Sequence, residues 1–334
     1  MTRRVAVVFG GTGFIGGHVV QRLARRDYVV RIVTRNPEAV RGLMTQGRTG
    51  QIVPVGAGAL DDAHIRTAVA GADVVVNLIG ILAERRPGDF ARIHGELPGR
   101  IARAAAATTA SGSKAGTVNG VGAGTDSPVP HLVHLSAIGA DPAAESLYAR
   151  GKGEGEAAVL AGFPTATILR PSVVFGPEDA FFNRFAAMTR IMPVLPVIGG
   201  ETRFQPVYVG DVADAVMAAL DRPEAAGRTY ELAGPRAATF RALMEEMLGI
   251  VRRRRRVVEM PAGLARLIAG LTGWLPDPPL TRDQLILLRR DNVATPGAPG
   301  LRELGIEPTA MEVVLPSYLS RYRRGGERHD PSGA

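Results

Sequence analysis

Through the first half of the chain, short uninterrupted apolar runs alternate with stretches in which apolar residues recur every three to four positions. The runs, rich in Val, Ile and Leu, predict strands at Val5–Phe9, Val29–Thr34, Ile52–Val55, Val74–Leu78, Leu132–Leu135 and Thr165–Leu169. The intervening stretches predict helices at Phe14–Arg25, Asp61–Val69, Asp89–Ala107 and Glu154–Leu160. Strands without polar alternation are covered on both faces, and strand–helix alternation builds βαβ units. The expected architecture is therefore an α/β fold, a doubly wound parallel sheet with helices on both faces. Thr108–Pro130 breaks the pattern: it is rich in Gly, Ser, Thr and Ala, and reads as a flexible insertion before the fifth strand.

After Phe175 the alternation loosens. Gln205–Val209 predicts a short strand, Asp211–Leu220 a helix capped by Asp211, and Thr229–Ala233 with Thr239–Leu248 another strand–helix pair. Arg252–Arg256, an apolar stretch Leu264–Leu275, a Pro-rich break at Pro276–Pro279 and a last helix near Met311–Arg321 follow.

The segment Gly10-Gly11-Thr12-Gly13-Phe14-Ile15-Gly16 joins the first strand to the first helix. Glycine at such a turn permits positive φ, lets backbone N–H groups approach a pyrophosphate, and removes a side chain where helix and strand pack closely. The strand–turn–helix context makes this a Rossmann-type dinucleotide turn rather than a stray glycine cluster. A dinucleotide enzyme that selects NAD carries an acid at the end of the second strand for the ribose 2′-hydroxyl. This chain reads Thr34-Arg35-Asn36 there, and a guanidinium suits a 2′-phosphate, which favours NADP(H). The alternative is that Arg35 is a solvated surface arginine. Asn77 to Gly80, where the fourth strand leaves the sheet, are expected beside the cofactor, although sheet packing alone would explain Leu78 and Ile79.

Tyr148-Ala149-Arg150-Gly151-Lys152 places a phenol and an ammonium at i and i+4, on one face of a helix. A nearby positive charge lowers a tyrosine pKa, and a phenol so tuned can exchange a proton with a carbonyl or alcohol during hydride transfer. Gly151, Gly153 and Gly155 weaken the helix locally or let its backbone approach another element. Ser136, at the end of the fifth strand, is a candidate to polarise a substrate oxygen, or simply a strand-end hydroxyl bonded locally.

Composition narrows the picture. The chain has no cysteine, which excludes disulfides, thiolate zinc sites and thiol catalysis, and its six His show no metal-ligand spacing. No apolar run reaches the roughly 18–20 residues that span a bilayer, and the first strand starts so near Met1 that a signal peptide has no room; a soluble chain is expected. Net charge is +8, yet aromatic residues make up only 5% and no nucleic-acid motif is present, so no nucleic-acid partner is expected. Of 40 basic residues only Lys114 and Lys152 are lysines, which singles out Lys152 as a position that needs a compact ammonium. Arg252–Arg256 beside the apolar Leu264–Leu275 suits an anionic membrane surface or an acidic subunit, or is a solvated charge run beside a core helix.

The glycine turn with Tyr148 and Lys152 resembles the short-chain dehydrogenase/reductase superfamily. Asp73–Gly80, Arg170–Gly176, Gln205–Val209, Leu280–Asp283 and Pro299–Ile306 look like one atypical branch of it: the nucleotide-binding accessory subunits of respiratory complex I, alpha subcomplex subunit nine, and their bacterial relatives. The resemblance implies a tightly held NADP(H) that serves structure or assembly, docking on peripheral-arm subunits near the membrane and quinone region, and, for related members, a link to ubiquinone synthesis. It implies that Gly10, Thr12, Gly13, Phe14, Ile15, Gly16 and Arg35 hold the phosphates, and that Leu60, Leu78, Ile79 and Gly80 line the cofactor. Lys152 then reaches the nicotinamide ribose, and Pro171 to Val173 close over the ring. Gly58 and Ala59 stand where relatives often carry an Asp near the adenine, and many relatives lose the active-site serine, whereas Ser136 and Tyr148 are both present here. The expected organisation is a nucleotide-binding domain at 1–176, a smaller, mostly helical portion at 177–325 that partly completes the sheet, and a disordered tail at 326–334. The expected location is the bacterial cytoplasm, on the inner face of the membrane. An active NADPH-dependent reductase, dehydrogenase or epimerase using Tyr148, Lys152 and Ser136 on a carbonyl or quinone-like substrate is the alternative.

Overall fold

The structure, a computed structural model, describes residues 3–56, 60–112, 131–272, 278 and 280–324. In chain order the first elements are β1 (Val5–Phe9), α1 (Phe14–Arg25), β2 (Val29–Thr34), α2 (Arg41–Met44), β3 (Ile52–Gly56), α3 (Asp62–Val69) and β4 (Val74–Asn77). A π-helical turn, Ala91–Glu96, then leads into α4 (Leu97–Gly112), followed by β5 (His131–Leu135), α5 (Leu147–Gly162) and β6 (Thr167–Pro171). The later elements are β7 (Val174–Phe175), α6 (Phe182–Met188), β8 (Val194–Val197), β9 (Arg203–Phe204), β10 (Val207–Tyr208), α7 (Val209–Asp221), β11 (Thr229–Leu232) and β12 (Ala238–Thr239). They continue with α8 (Phe240–Ile250), β13 (Arg256–Glu259), α9 (Ala262–Thr272), α10 (Arg282–Leu287) and α11 (Met311–Leu319).

The chain divides into two units, Met1–Arg170 with Ala213–Tyr230, and Pro171–Val212 with Glu231–Ala334. Where the sequence suggests one boundary after 176, the chain thus crosses between units three times, because α7 and the start of β11 return to the first.

The main sheet has the order β11-β6-β5-β4-β1-β2-β3, with parallel pairing from β3 through β6. Ala6, Val7, Val8 and Phe9 on β1 are all fully buried, so both faces of the sheet are covered. On one side Val7, Phe9 and Val75 pack against Ile65, Leu97, Ile101, Val159 and Phe163 from α3, α4 and the end of α5. Strand order reverses between β1 and β4, so their carboxyl ends open the crevice in which such sheets bind ligands.

Three helical boundaries differ from the sequence expectation. The helix expected to end at Ala107 continues to Gly112, so the first residues of the supposed insertion are helical; 113–130 lie outside the described residues. The helix expected from Glu154 begins at Leu147, with Ser146 Oγ accepting from Ala149 N at 3.2 Å. Its glycines hid it, and they are there for packing. A Cβ on Gly155 would collide with the carbonyl of His94, one on Gly153 with the Asp141–Pro142 backbone, and one on Gly151 would lie 3.1 Å from the carbonyl of Phe90. Asp211 is not a cap. It lies in the first turn of α7, and its carboxylate accepts from Thr309 N and Oγ1 at 2.7 and 2.8 Å.

The second unit carries α6, the start of α7, and α8 to α11, with three two-stranded sheets among its described residues, β7–β10, β9–β12 and β8–β13. Its core joins Phe175, Phe182, Phe204 and Phe240 to Leu243, Met247, Met311 and Leu315. Buried Asp179 accepts from Gly176 N, Asn183 N and the Tyr318 hydroxyl, which ties α11 to the start of α6. The Pro276–Pro279 break, apart from Pro278, and the 326–334 tail lie outside the described residues.

Two glycine substitutions should separate packing from helix propensity. Gly155→Ala should destabilise by about 1–3 kcal/mol or more, through overpacking. Gly249→Ala, on α8 with open space around it, should stabilise by about 0.5–1 kcal/mol. Urea denaturation reads both; shifts of the same sign would contradict the packing argument.

Candidate functional site

The β1–α1 turn is held by sterics. Gly10 has φ +79°, and a Cβ there would sit 3.0 Å from the Leu78 carbonyl carbon. A Cβ on Gly16 would collide with the Gly10 carbonyl. Gly13 N donates to Gly10 O at 3.1 Å, and Gly13 is the N-cap of α1 with no side-chain cap. The first turn of α1 therefore presents N–H groups that no side chain covers, flanked by exposed Thr12 and half-buried Phe14 and Ile15. Gly10, Thr12, Gly13, Phe14, Ile15 and Gly16 form one surface, beside Leu78 and Ile79.

At the end of β2, Thr34 Oγ1 and Asn36 close a tight turn, and Asn36 Oδ1 caps Glu38 N at 3.1 Å. Asn36 is thus committed locally. Arg35 is exposed and makes no ion pair or hydrogen bond with any described residue. Leu60 and Ile79 are half-buried against the core of the first unit, and residues 57–59, including Gly58 and Ala59, lie outside the described residues.

The carboxyl ends of β4 and β5 carry a polar cluster that sequence reasoning largely missed. Asn77 and His134 are register partners. Asn77 Nδ2 donates to His134 Nδ1 at 3.1 Å, and Asn77 Oδ1 accepts from Ile79 N at 3.2 Å. That arrangement leaves the His134 proton on Nε2. His94, on the π-turn, accepts from Ile81 N through Nε2 at 3.0 Å. Burial, with Lys152 adding to it, pushes His94 down to about 3, and burial pushes His134 well below the usual histidine range, so both rings are neutral. The readable signal was a polar residue at matching positions of two otherwise apolar strands.

Lys152 is buried and its Nζ donates to Leu135 O at 3.0 Å. A Cβ added to Gly80 would lie 3.7 Å from both Lys152 Nζ and His94 Nε2, so Gly80, Lys152 and His94 meet at one point. Tyr148 is half-buried, with its ring edge-on to His94 at 5.1 Å and Phe90 at 5.8 Å. The expected lowering of its pKa is not found: burial pushes the phenol up to about 12. Lys152 is turned to the carbonyl of Leu135 instead. Ser136 Oγ, His134 Nε2 and His94 Nδ1 are enclosed and make no hydrogen bond with described residues. Ser136 is buried at the carboxyl end of β5. Pro171 ends β6 and, with Val173, belongs to the second unit; Val173 N donates to Asn292 Oδ1 at 3.1 Å and its side chain packs on that unit's core.

Residues 6–233 match the NAD dependent epimerase/dehydratase family, and the chain belongs to it. Within that class, it is 33% identical to the "NADH dehydrogenase [ubiquinone] 1 alpha subcomplex subunit 9, mitochondrial" of Arabidopsis thaliana, over 96% of this chain and 79% of that one. It is 34% identical to the Mus musculus protein of the same name, over 96% and 80%. Among solved structures, UDP-glucose 4-epimerase of Thermus thermophilus, a complex with NAD, shares the fold with a TM-score of 0.66 at 18% identity, over 96% of this chain and 99% of that one.

Burial pushes Lys152 down to about 8, with Glu156 opposing. Between that value and the unfolded one, near 10.5, the unfolded chain holds the proton more tightly. Stability therefore falls as pH drops across that window, and the full cost of the buried charge persists at pH 7. With two lysines in the chain, lysine-selective NMR should show one signal titrating near 8. Two ordinary titrations would contradict the buried site.

Proposed function

We propose that the chain is an NADP(H)-binding accessory or assembly subunit of respiratory complex I, its dinucleotide mainly structural. It is held on peripheral-arm subunits at the cytoplasmic face of a bacterial inner membrane. The observation that carries the nucleotide reading is the uncapped, glycine-framed start of α1 beside an Arg35 with no acid opposite it among the described residues. The residues fit the group. The α1 N–H groups, from Gly13 to Gly16, would hold the pyrophosphate, Arg35 the 2′-phosphate, Leu60, Leu78, Ile79 and Gly80 the wall, and Lys152 the nicotinamide ribose. When bound, such a cofactor supplies a hydride donor or acceptor.

The part played by the complex rests on similarity that runs through both units to proteins named as its subunits. The structural role is supported by the state of the polar cluster. A phenol pushed up to about 12 and a lysine turned to a backbone carbonyl are poorly set for proton exchange at neutral pH. A buried ammonium held by one carbonyl gains from further hydrogen-bond acceptors, so the ribose hydroxyls of a dinucleotide would offset part of the desolvation of Lys152. Catalysis on a carbonyl or quinone-like compound is the second reading, favoured by the placement of Tyr148 and Lys152 around Gly80.

Arg35→Ala should weaken NADPH binding by about 10- to 100-fold, the range of charge-assisted contacts to one phosphate, and leave NADH binding unchanged. Equal losses for both nucleotides would contradict the assignment. Tyr148→Phe should leave nucleotide affinity and co-purification with the complex unaltered; a collapse of hydride transfer in that variant, with wild type active, would favour the second reading.

A further inference from the structure

The second unit carries an arginine cluster that pairs with no carboxylate among the described residues. Three of its guanidinium groups close helix ends: Arg255 Nε donates to Thr189 O at the end of α6, and Arg323 Nε to Ile250 O at the end of α8. Arg253 Nε donates to Tyr322 O after α11. Cations at helix C-termini are favourable, which explains these three. Arg190, Arg252, Arg254, Arg256 and Arg324 have no such task, and none of the eight pairs with a carboxylate among the described residues. Burial and the like charges of Arg255, Arg324 and Arg190 push the Arg253 guanidinium down, a sign of crowding. A shallow cavity of about 290 Å³ opens among Leu248, Gly249 and Arg252 to Arg254.

Exposed apolar side chains lie close to this charge along the chain. On the β8–β13 ribbon Leu195 and Val197 are buried, so Val194 faces outward, and it is the register partner of exposed Arg256. Val258, two residues on, is 45% exposed, and Ile191, next to Arg190, is 88% exposed. Then α9 follows. Its Ala265 and Ala269 are buried, while Leu264, Leu267 and Leu271 are 48%, 57% and 65% exposed. At 100° per residue these three leucines fall within about 60° of arc, on the side away from the core. No helix among the described residues is long and apolar enough to cross a membrane.

We propose that this surface of the second unit lies on anionic phospholipid, with the arginines on lipid phosphates and the α9 leucines at the acyl boundary. The proposal sharpens the membrane-peripheral part of the reading above and does not depend on the nucleotide. An unbalanced arginine cluster calls for a polyanion. An exposed leucine stripe that follows it within a few residues of chain calls for a surface that is also apolar, which a bilayer offers and a nucleic acid or acidic peptide does not.

The test is flotation of the full-length protein with vesicles of neutral phosphatidylcholine, and with vesicles containing phosphatidylglycerol. Binding is expected to the anionic vesicles only, weakening as salt rises. Arg252→Gln with Arg254→Gln and Arg256→Gln should lower partition by about 100-fold, at roughly fivefold per arginine. Leu264→Ser with Leu267→Ser and Leu271→Ser should lower it by at least about tenfold. All six positions are exposed, so NADPH binding and melting temperature should be retained; a variant that loses binding together with its fold is replaced by Arg254→Gln alone, expected to lose about fivefold. Equal binding to both vesicles, binding to neither, or variants that partition like wild type would overturn the proposal. So would tighter binding to soluble polyglutamate than to anionic vesicles. Loss of vesicle binding with retained attachment to the complex would sink this surface and spare the functional reading.

Discussion

The contact on which the site depends is that of Gly16 with the carbonyl of Gly10. No side chain can stand between them, so α1 starts hard against the end of β1 and its first N–H groups face the crevice where the strand order reverses. The same turn brings Gly10 to within van der Waals distance of the Leu78 backbone, which joins the β1 and β4 ends into one wall. A residue with a Cβ at either glycine would displace the helix, and with it the anion-binding end of its dipole.

A second close approach organises the other end of the crevice. Gly151 and Gly155 admit the carbonyls of Phe90 and His94 to the backbone of α5, so the π-turn lies flush on that helix. That seating delivers His94 to Ile81 and Tyr148, and encloses Lys152. The result is a pocket of neutral histidines around one costly ammonium. Such a pocket favours an anionic ligand and does little to activate a phenol. Desolvation sets the charge states of this cluster more than the identity of its residues does.

Much of the first unit was legible because burial on both sheet faces writes itself as continuous Val and Ile runs, and the glycine turn is local chemistry. What stayed hidden depended on distant partners. Gly151, Gly153 and Gly155 read as helix breakers until the elements they admit are seen. Asp211 looked like a cap, yet it serves Thr309, 98 residues away. The tuning of Tyr148 could not be read from its spacing to Lys152, because the carbonyl that draws the ammonium away is Leu135 O on another element. Asn77 and His134 carried a faint signal, two polar positions in apolar surroundings, that only strand register makes intelligible.

The central claim is that this site selects the phosphorylated dinucleotide. Titration calorimetry of the wild-type protein with NADPH and NADH addresses it directly. The account predicts that NADPH binds tighter by about tenfold or more, the worth of one charge-assisted phosphate clamp. Equal affinity for the two, or no binding of either, would contradict it.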